Sequence, residues 1–201
     1  MERAEGYSFR RILDRIKSDL EKAGFDVTMH PREVEPVYAA FIRLPGLLYD
    51  AGLTSHRTEK LSIKLEIDTN PPAGATTKTT IVNRHFLIAI FHHDLPSMMA
   101  GKLHALLTRP CTKGRDLYDL LWYLSRSEPT SPNLVLLQNA LTQTNWSGGE
   151  VTAATWKAVV EDRLRKMDFV QAVEDVGPFL ESPEERVLLA REIVLAALRG
   201  A

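Results

Sequence analysis

Residues 61–68 alternate apolar and polar side chains without a break, and no other stretch constrains the fold as much. Leu61, Ile63, Leu65 and Ile67 fall on one side of an extended chain. Ser62, Lys64, Glu66 and Asp68 fall on the other. A strand of this kind needs neighbouring strands and a layer over its apolar face. The preceding residues supply both. Phe9, Ile12, Leu13, Ile16 and Leu20 recur at helical spacing and predict an amphipathic helix over 7–23, with Ser8 as its cap and Gly24 as its stop. Phe25, Val27 and Met29 alternate with Asp26, Thr28 and His30, predicting a strand. A second strand is expected over 37–44, closed by Pro45-Gly46. A short strand over 79–82 follows the breaker-rich loop 69–75. The nearly continuous apolar run 86–91 predicts a buried strand.

The period then changes. Pro96 suits a first helical position, and helices are expected over 96–107 and 114–124. The segment Ser127-Glu128-Pro129-Thr130-Ser131-Pro132 is the strongest boundary in the sequence. Beyond it, helices are expected over 134–142, 153–167, 169–176 and 183–198. The last carries mixed charges on its polar face, which predicts packing in a bundle rather than on a membrane. The expected class is α+β in front, residues 1–126, with a helical region over 132–201 packed on it. Trp122, Trp146 and Trp156 are expected in the core or in helix packing rather than as base-stacking platforms.

Composition narrows the function classes. The 201 residues are 44% apolar, enough for a sizeable core. With 25 basic and 26 acidic residues the formal charge is -1, so a nucleic acid would have to meet a local patch. Arg84, Lys102, Arg109, Lys113 and Arg115 are candidates for one, against ordinary surface charge as the plainer account. The single cysteine, Cys111, excludes an internal disulfide framework and fits a reducing cytosol. Residues 1–6 lack the apolar run of a signal peptide, and no apolar run is long enough to span a membrane, so a cytoplasmic protein is expected.

Three segments carry candidate chemistry. Glu66 and Asp68 project from one strand face, with Lys64 just before them. Two hard oxygen donors there suit Mg²⁺, which keeps waters and takes phosphate oxygens; a solvent-facing strand with charged outer positions has the same pattern. Lys102 sits at the edge of an apolar stripe of Met98, Met99, Leu103, Leu106 and Leu107. It either snorkels to water or turns a cation toward phosphate. In the next helix Asp116 and Asp119 share a face, opposite Leu117, Leu120, Leu121 and Leu124. The helix dipole alone accounts for Asp116 in the first turn, but less well for Asp119. If Lys102 meets one of them, the pair either positions the lysine or braces two helices. His92-His93-Asp94 with His85 or His104 is a weaker metal set, because adjacent strand residues point to opposite faces.

Taken together these segments resemble the AbiEii/AbiGii toxins of abortive-infection and type IV toxin–antitoxin systems in bacteria, over roughly residues 7–125. The strand motif is Ile63-Lys64-Leu65-Glu66-Ile67 followed by Asp68, the helix motif uses Ala100, Lys102, Ala105 and Leu106, and the most specific motif is Arg115-Asp116-Leu117-Tyr118-Asp119-Leu120. The resemblance implies a nucleotidyltransferase fold, a mixed sheet with helices followed by a helical bundle. It implies transfer from an NTP with Mg²⁺ to an RNA, such as tRNA, or to a protein, with an antitoxin as partner. It places Asp116, Asp119 and Lys102 in catalysis, Lys64, Lys102 and Arg115 on the nucleotide, and Glu66 and Asp68 on the metal. Family members also open with Gly-Gly-Ser/Thr and an Asp-x-Asp strand. No Asp-x-Asp occurs in this sequence, and its one Gly-Gly is Gly148-Gly149. The chain is therefore expected to start downstream of that motif and to be weak or inactive alone. The alternative is a non-catalytic binding or regulatory protein, a homodimer or a partner-bound chain, that pairs through a sheet edge left open by the missing strand.

Overall fold

The structure, a computed structural model, describes residues 8–111, 113–128 and 130–200. Tyr7 and Pro129, which belong to the expected first helix and the expected boundary, lie outside them. One compact unit ends at Pro71 and a second begins at Pro72, inside the breaker loop. Segment 127–132 falls within the second unit, between two of its helices.

The first unit is one helix on one sheet. Helix α1 (Phe9–Lys22) is capped by Ser8, whose hydroxyl accepts from the Arg11 N–H. Strands β1 (Thr28–Val34), β2 (Val37–Pro45) and β3 (Lys60–Asp68) pair antiparallel in that order. Pro31 is tolerated because β1 is an edge, where a missing N–H costs no ladder bond. The register sets Ala40 opposite Leu65 and Ile42 opposite Ile63, so the apolar residues of β2 and β3 share a face. Phe9 and Leu13 of α1 pack there against Ala40, and Ile16 and Leu20 against Val27, Ile42 and Leu44. The same register puts Phe41 opposite Lys64 and Ala39 opposite Glu66 on the uncovered face. A short helix α2 (Leu47–Asp50) lies between β2 and β3.

The second unit starts with a hairpin, β4 (Thr77–Asn83) and β5 (Leu87–His93), and continues in helices. These are α3 (Leu95–Thr108), α4 (Gly114–Leu124), α5 (Leu134–Gln143), α6 (Trp156–Lys166), α7 (Phe169–Val176), α8 (Glu185–Leu188) and α9 (Arg191–Gly200). They enclose one core, in which Met99, Leu103, Leu117, Leu120, Leu137, Leu141, Leu164 and Leu198 are all but inaccessible. Among the described residues no helix is long and apolar enough to cross a membrane.

The α+β class is what the structure shows, with a correction to the sheet. Both sheets are antiparallel where a mixed one is expected. Tight turns join β1 to β2 and β4 to β5, and parallel neighbours would need a long crossover instead. The run 86–91 is also not buried. Leu87, Ile88, Ile90 and Phe91 are exposed, because the hairpin is a separate two-stranded sheet with no third strand among the described residues. The expected helix 183–198 is broken into α8 and α9. Trp156 is buried, as expected of a packing residue, but Trp122 is exposed.

Candidate active site

In the first unit, Lys64, Glu66 and Asp68 stand on the uncovered face of β3. Lys64 Nζ lies 2.6 Å from Glu66 Oε1 and 5.9 Å above the Phe41 ring, so its cation is held against its own strand and the neighbouring one. Asp68 Oδ1 accepts from the Asn70 N–H at 2.9 Å, which turns the chain into the loop that follows. Both carboxylates are open to solvent. They are hard oxygen donors of the kind Mg²⁺ takes, and no third carboxylate or histidine joins them in a metal-holding cluster among the described residues. A cation there would complete its shell with water and phosphate oxygens.

In the second unit, α3 and α4 are set against each other by specific chemistry. The Asp94 carboxylate accepts from the Ser97 N–H and starts α3. The buried Ser97 hydroxyl accepts from the Thr76 N–H and from Asn133 Nδ2, tying the hairpin and α5 to the same turn. Arg163 of α6 donates from Nε to the Leu106 carbonyl and from Nη2 to the Arg109 carbonyl, closing the far end of α3. Helix α4 begins where only glycine fits. A Cβ on Gly114 would lie 2.0 Å from the Ala172 carbonyl oxygen, and the Gly114 N–H donates to the Asp175 carboxylate at 2.9 Å.

These anchors bring Lys102 to Asp119. Nζ lies 2.6 Å from Oδ2, and both side chains are partly open, 41% and 34% exposed. Asp116 has a different partner. It is 3% exposed and forms a short ion pair with Arg109. Lys102 thus meets the aspartate past the first turn, and the carboxylate in the first turn is an internal brace. Arg115 points to solvent and shares a depression of about 400 Å³ with Lys113, Asp175, Val176 and Phe179. Burial pushes the Tyr123 phenol up, and the nearby Asp119 carboxylate adds to the shift while Arg126 opposes it. Burial pushes the His104 imidazole down, and the Arg109 guanidinium adds to it.

The sequence reading missed the Arg109–Asp116 brace, the Asp175 cap on α4 and the two bonds from Arg163. The signals present were weak: a glycine opening a helix, and an arginine spaced seven residues before an aspartate. Glu66 and Asp68 belong to the first unit, and Lys102, Asp116 and Asp119 to the second.

Among known families, the one described as nucleotidyl transferase AbiEii toxin, type IV TA system, matches residues 3–191. No curated protein and no solved structure matches the chain.

Proposed function

The chain belongs to the AbiEii nucleotidyl transferase toxin family of type IV toxin–antitoxin systems, and from that premise we propose that its α3–α4 pair is the nucleotide-side half of a nucleotidyl transfer site. The observation that carries this reading is the Lys102–Asp119 ion pair. It joins the two helical motifs through a cation that is still 41% exposed. A lysine buried in a structural bridge would be closed to a ligand. This one keeps donors toward solvent while Asp119 restricts where its ammonium can sit.

In this reading Lys102 contacts a phosphate of an NTP, Asp119 holds the lysine in place, and Arg115 at the start of α4 offers a second cation. Asp116 fixes the α4 entry through Arg109 and touches no substrate. The family implies an NTP and a divalent metal. Within the first unit, taken by itself, Glu66 and Asp68 have the donor chemistry to hold a divalent metal, with Lys64 beside them for a phosphate oxygen. The metal would neutralise triphosphate charge when bound. Because no Asp-x-Asp occurs in the 201 residues, transfer by this chain alone is weak or absent. The acceptor is an RNA, such as tRNA, or a protein.

The test is incubation of the isolated chain with labelled NTPs, Mg²⁺ and either tRNA or a protein extract. Binding of NTP with little transfer is expected. Robust transfer would overturn the weak-transfer reading, and absence of any NTP binding would overturn the nucleotide site itself.

A second reading has its own observation. Ile81, Leu87 and Phe91 lie on one face of the β4–β5 hairpin, where the register places Ile81 beside Ala89 and Thr79 beside Phe91. All three are exposed. Isolated hairpins are marginal in water, and such a face and its edges invite another chain. A non-catalytic role, in which this surface meets a second copy or the antitoxin that the family implies, follows from it. A clean monomer by light scattering at high concentration, alone and with the antitoxin, would exclude it.

A further inference from the structure

Helix α4 carries a further surface, of which the transfer reading uses only Arg115 and Asp119. Arg115, Asp119, Trp122 and Arg126 follow one another at steps of three and four residues, and so lie along one stripe of the helix and its end. Tyr118 flanks the stripe. Trp122 is 45% exposed and Tyr118 37%, in a helix whose other face buries Leu117, Leu120 and Tyr123. Beyond the helix start, Phe179 is 83% exposed and shares the depression that Arg115 lines.

A core tryptophan would be covered, and an incidental surface one would lack organised neighbours. Trp122 fits neither description. Tyr123 meets it edge-on at 5.0 Å and fixes its plane. The Arg126 guanidinium lies 4.8 Å from its centroid. Arg126 itself is half-buried, with its Nε enclosed and without a hydrogen-bond partner among the described residues. The one carboxylate on the stripe, Asp119, is neutralised by Lys102. What remains is positive and aromatic.

We infer that this face of α4 binds single-stranded nucleic acid, with bases stacking on Trp122 and Tyr118 and backbone phosphates taken by Arg115 and Arg126. Exposed aromatic rings between cations are the arrangement that unpaired bases use, because every base has a stacking face and every linkage a charge. The helix spans ~16 Å, room for a short run of nucleotides, with Phe179 as a further ring at its start. A duplex hides its base faces and does not fit. The chain's charge of -1 predicts that binding rests on this stripe and not on a general basic field.

The test is fluorescence anisotropy of a labelled single-stranded RNA 12-mer titrated with the whole chain at several salt concentrations. The DNA of the same sequence and a blunt RNA duplex are run beside it. Wild-type chain binds the single strand. Trp122→Ala weakens binding roughly 5- to 150-fold, the range expected for loss of one stacked base. Trp122→Phe restores most of it. Arg126→Gln weakens binding and lowers the salt slope by about one. A preference for RNA over DNA assigns the sugar, and equal binding of both supports the site as stated. Trp122 is exposed and Arg126 is partly buried, and unfolding in urea confirms that each variant is folded. The inference is overturned if the wild type binds neither single strand, if the duplex binds as tightly, or if folded Trp122→Ala binds like wild type. Nucleotide transfer plays no part in the readout, so the site stands or falls apart from the catalytic reading.

Discussion

The acidic residues on strand β3 and those on helix α4 look equivalent in the sequence, yet the structure gives them opposite surroundings. Glu66 and Asp68 stand on an uncovered sheet face, one against its own strand's Lys64 and the other closing a turn. Asp116 is enclosed at the entry of α4 with Arg109, and Asp119 is half open beside Lys102. Burial separates their roles. A carboxylate removed from water must have its partner, and breaking that pair is costly. An exposed one exchanges its partner for water or a cation at little cost. The internal brace therefore sets the geometry, and the open carboxylates and the half-open lysine remain available to a ligand.

The largest effect should come from the closed end of that contrast. Asp116→Ala strands Arg109 and should destabilise the second unit by about 3 kcal/mol, because Arg109 can turn partly to solvent. Urea unfolding followed by circular dichroism checks it, and a loss below ~1 kcal/mol would erase the distinction between the two aspartates. Gly114→Ala should cost about 1–3 kcal/mol by forcing α4 away from α7, read in the same experiment.

Acid should act next. The folded chain holds His104 below its ordinary value, so the unfolded chain takes up that proton first. This contribution is whole above the ordinary histidine range and is lost as pH falls through it, until the lowered folded value is reached. The urea midpoint of the wild type should drop more between about pH 7.5 and 5.5 than that of His104→Gln. Equal drops would remove His104 from the account.

Smaller still is the change expected on β3. Glu66→Gln with Asp68→Asn should alter stability by less than ~0.5 kcal/mol, since both groups face water. If these carboxylates hold a metal, the double variant should lose Mg²⁺ binding, measured by calorimetry. A stability loss like that of Asp116→Ala would instead make the two regions alike.

Much of this arrangement could be read from the sequence, for reasons that differ by element. Helix α4 was legible because Gly114 opens it and Leu117, Leu120, Leu121 and Leu124 keep strict helical spacing. Strand β3 was legible from alternation, which survives whatever packs on it. The hairpin was misread because a continuous apolar run signals extended chain but not what covers it, and here no third strand among the described residues does. The break between α8 and α9 has no proline or glycine to announce it. The motifs placed Lys102 near two aspartates, and the choice between them depended on Arg109, which claims Asp116 across a turn of chain. The exposure of Trp122 was hidden for a similar reason. It sits between Leu121 and Tyr123, both turned inward, and one residue of helical rotation carries it to the surface.

In the proposed site Lys102, held by Asp119, is open to a nucleotide phosphate. Titration of the isolated chain with each NTP by calorimetry, for wild type and Lys102→Met, tests it most directly. The wild type should bind NTP measurably and Lys102→Met at least ~10-fold more weakly, with stability changed by no more than about 1 kcal/mol because the pair is half exposed. Unchanged NTP affinity in a folded Lys102→Met chain would show that the pair only braces α3 against α4.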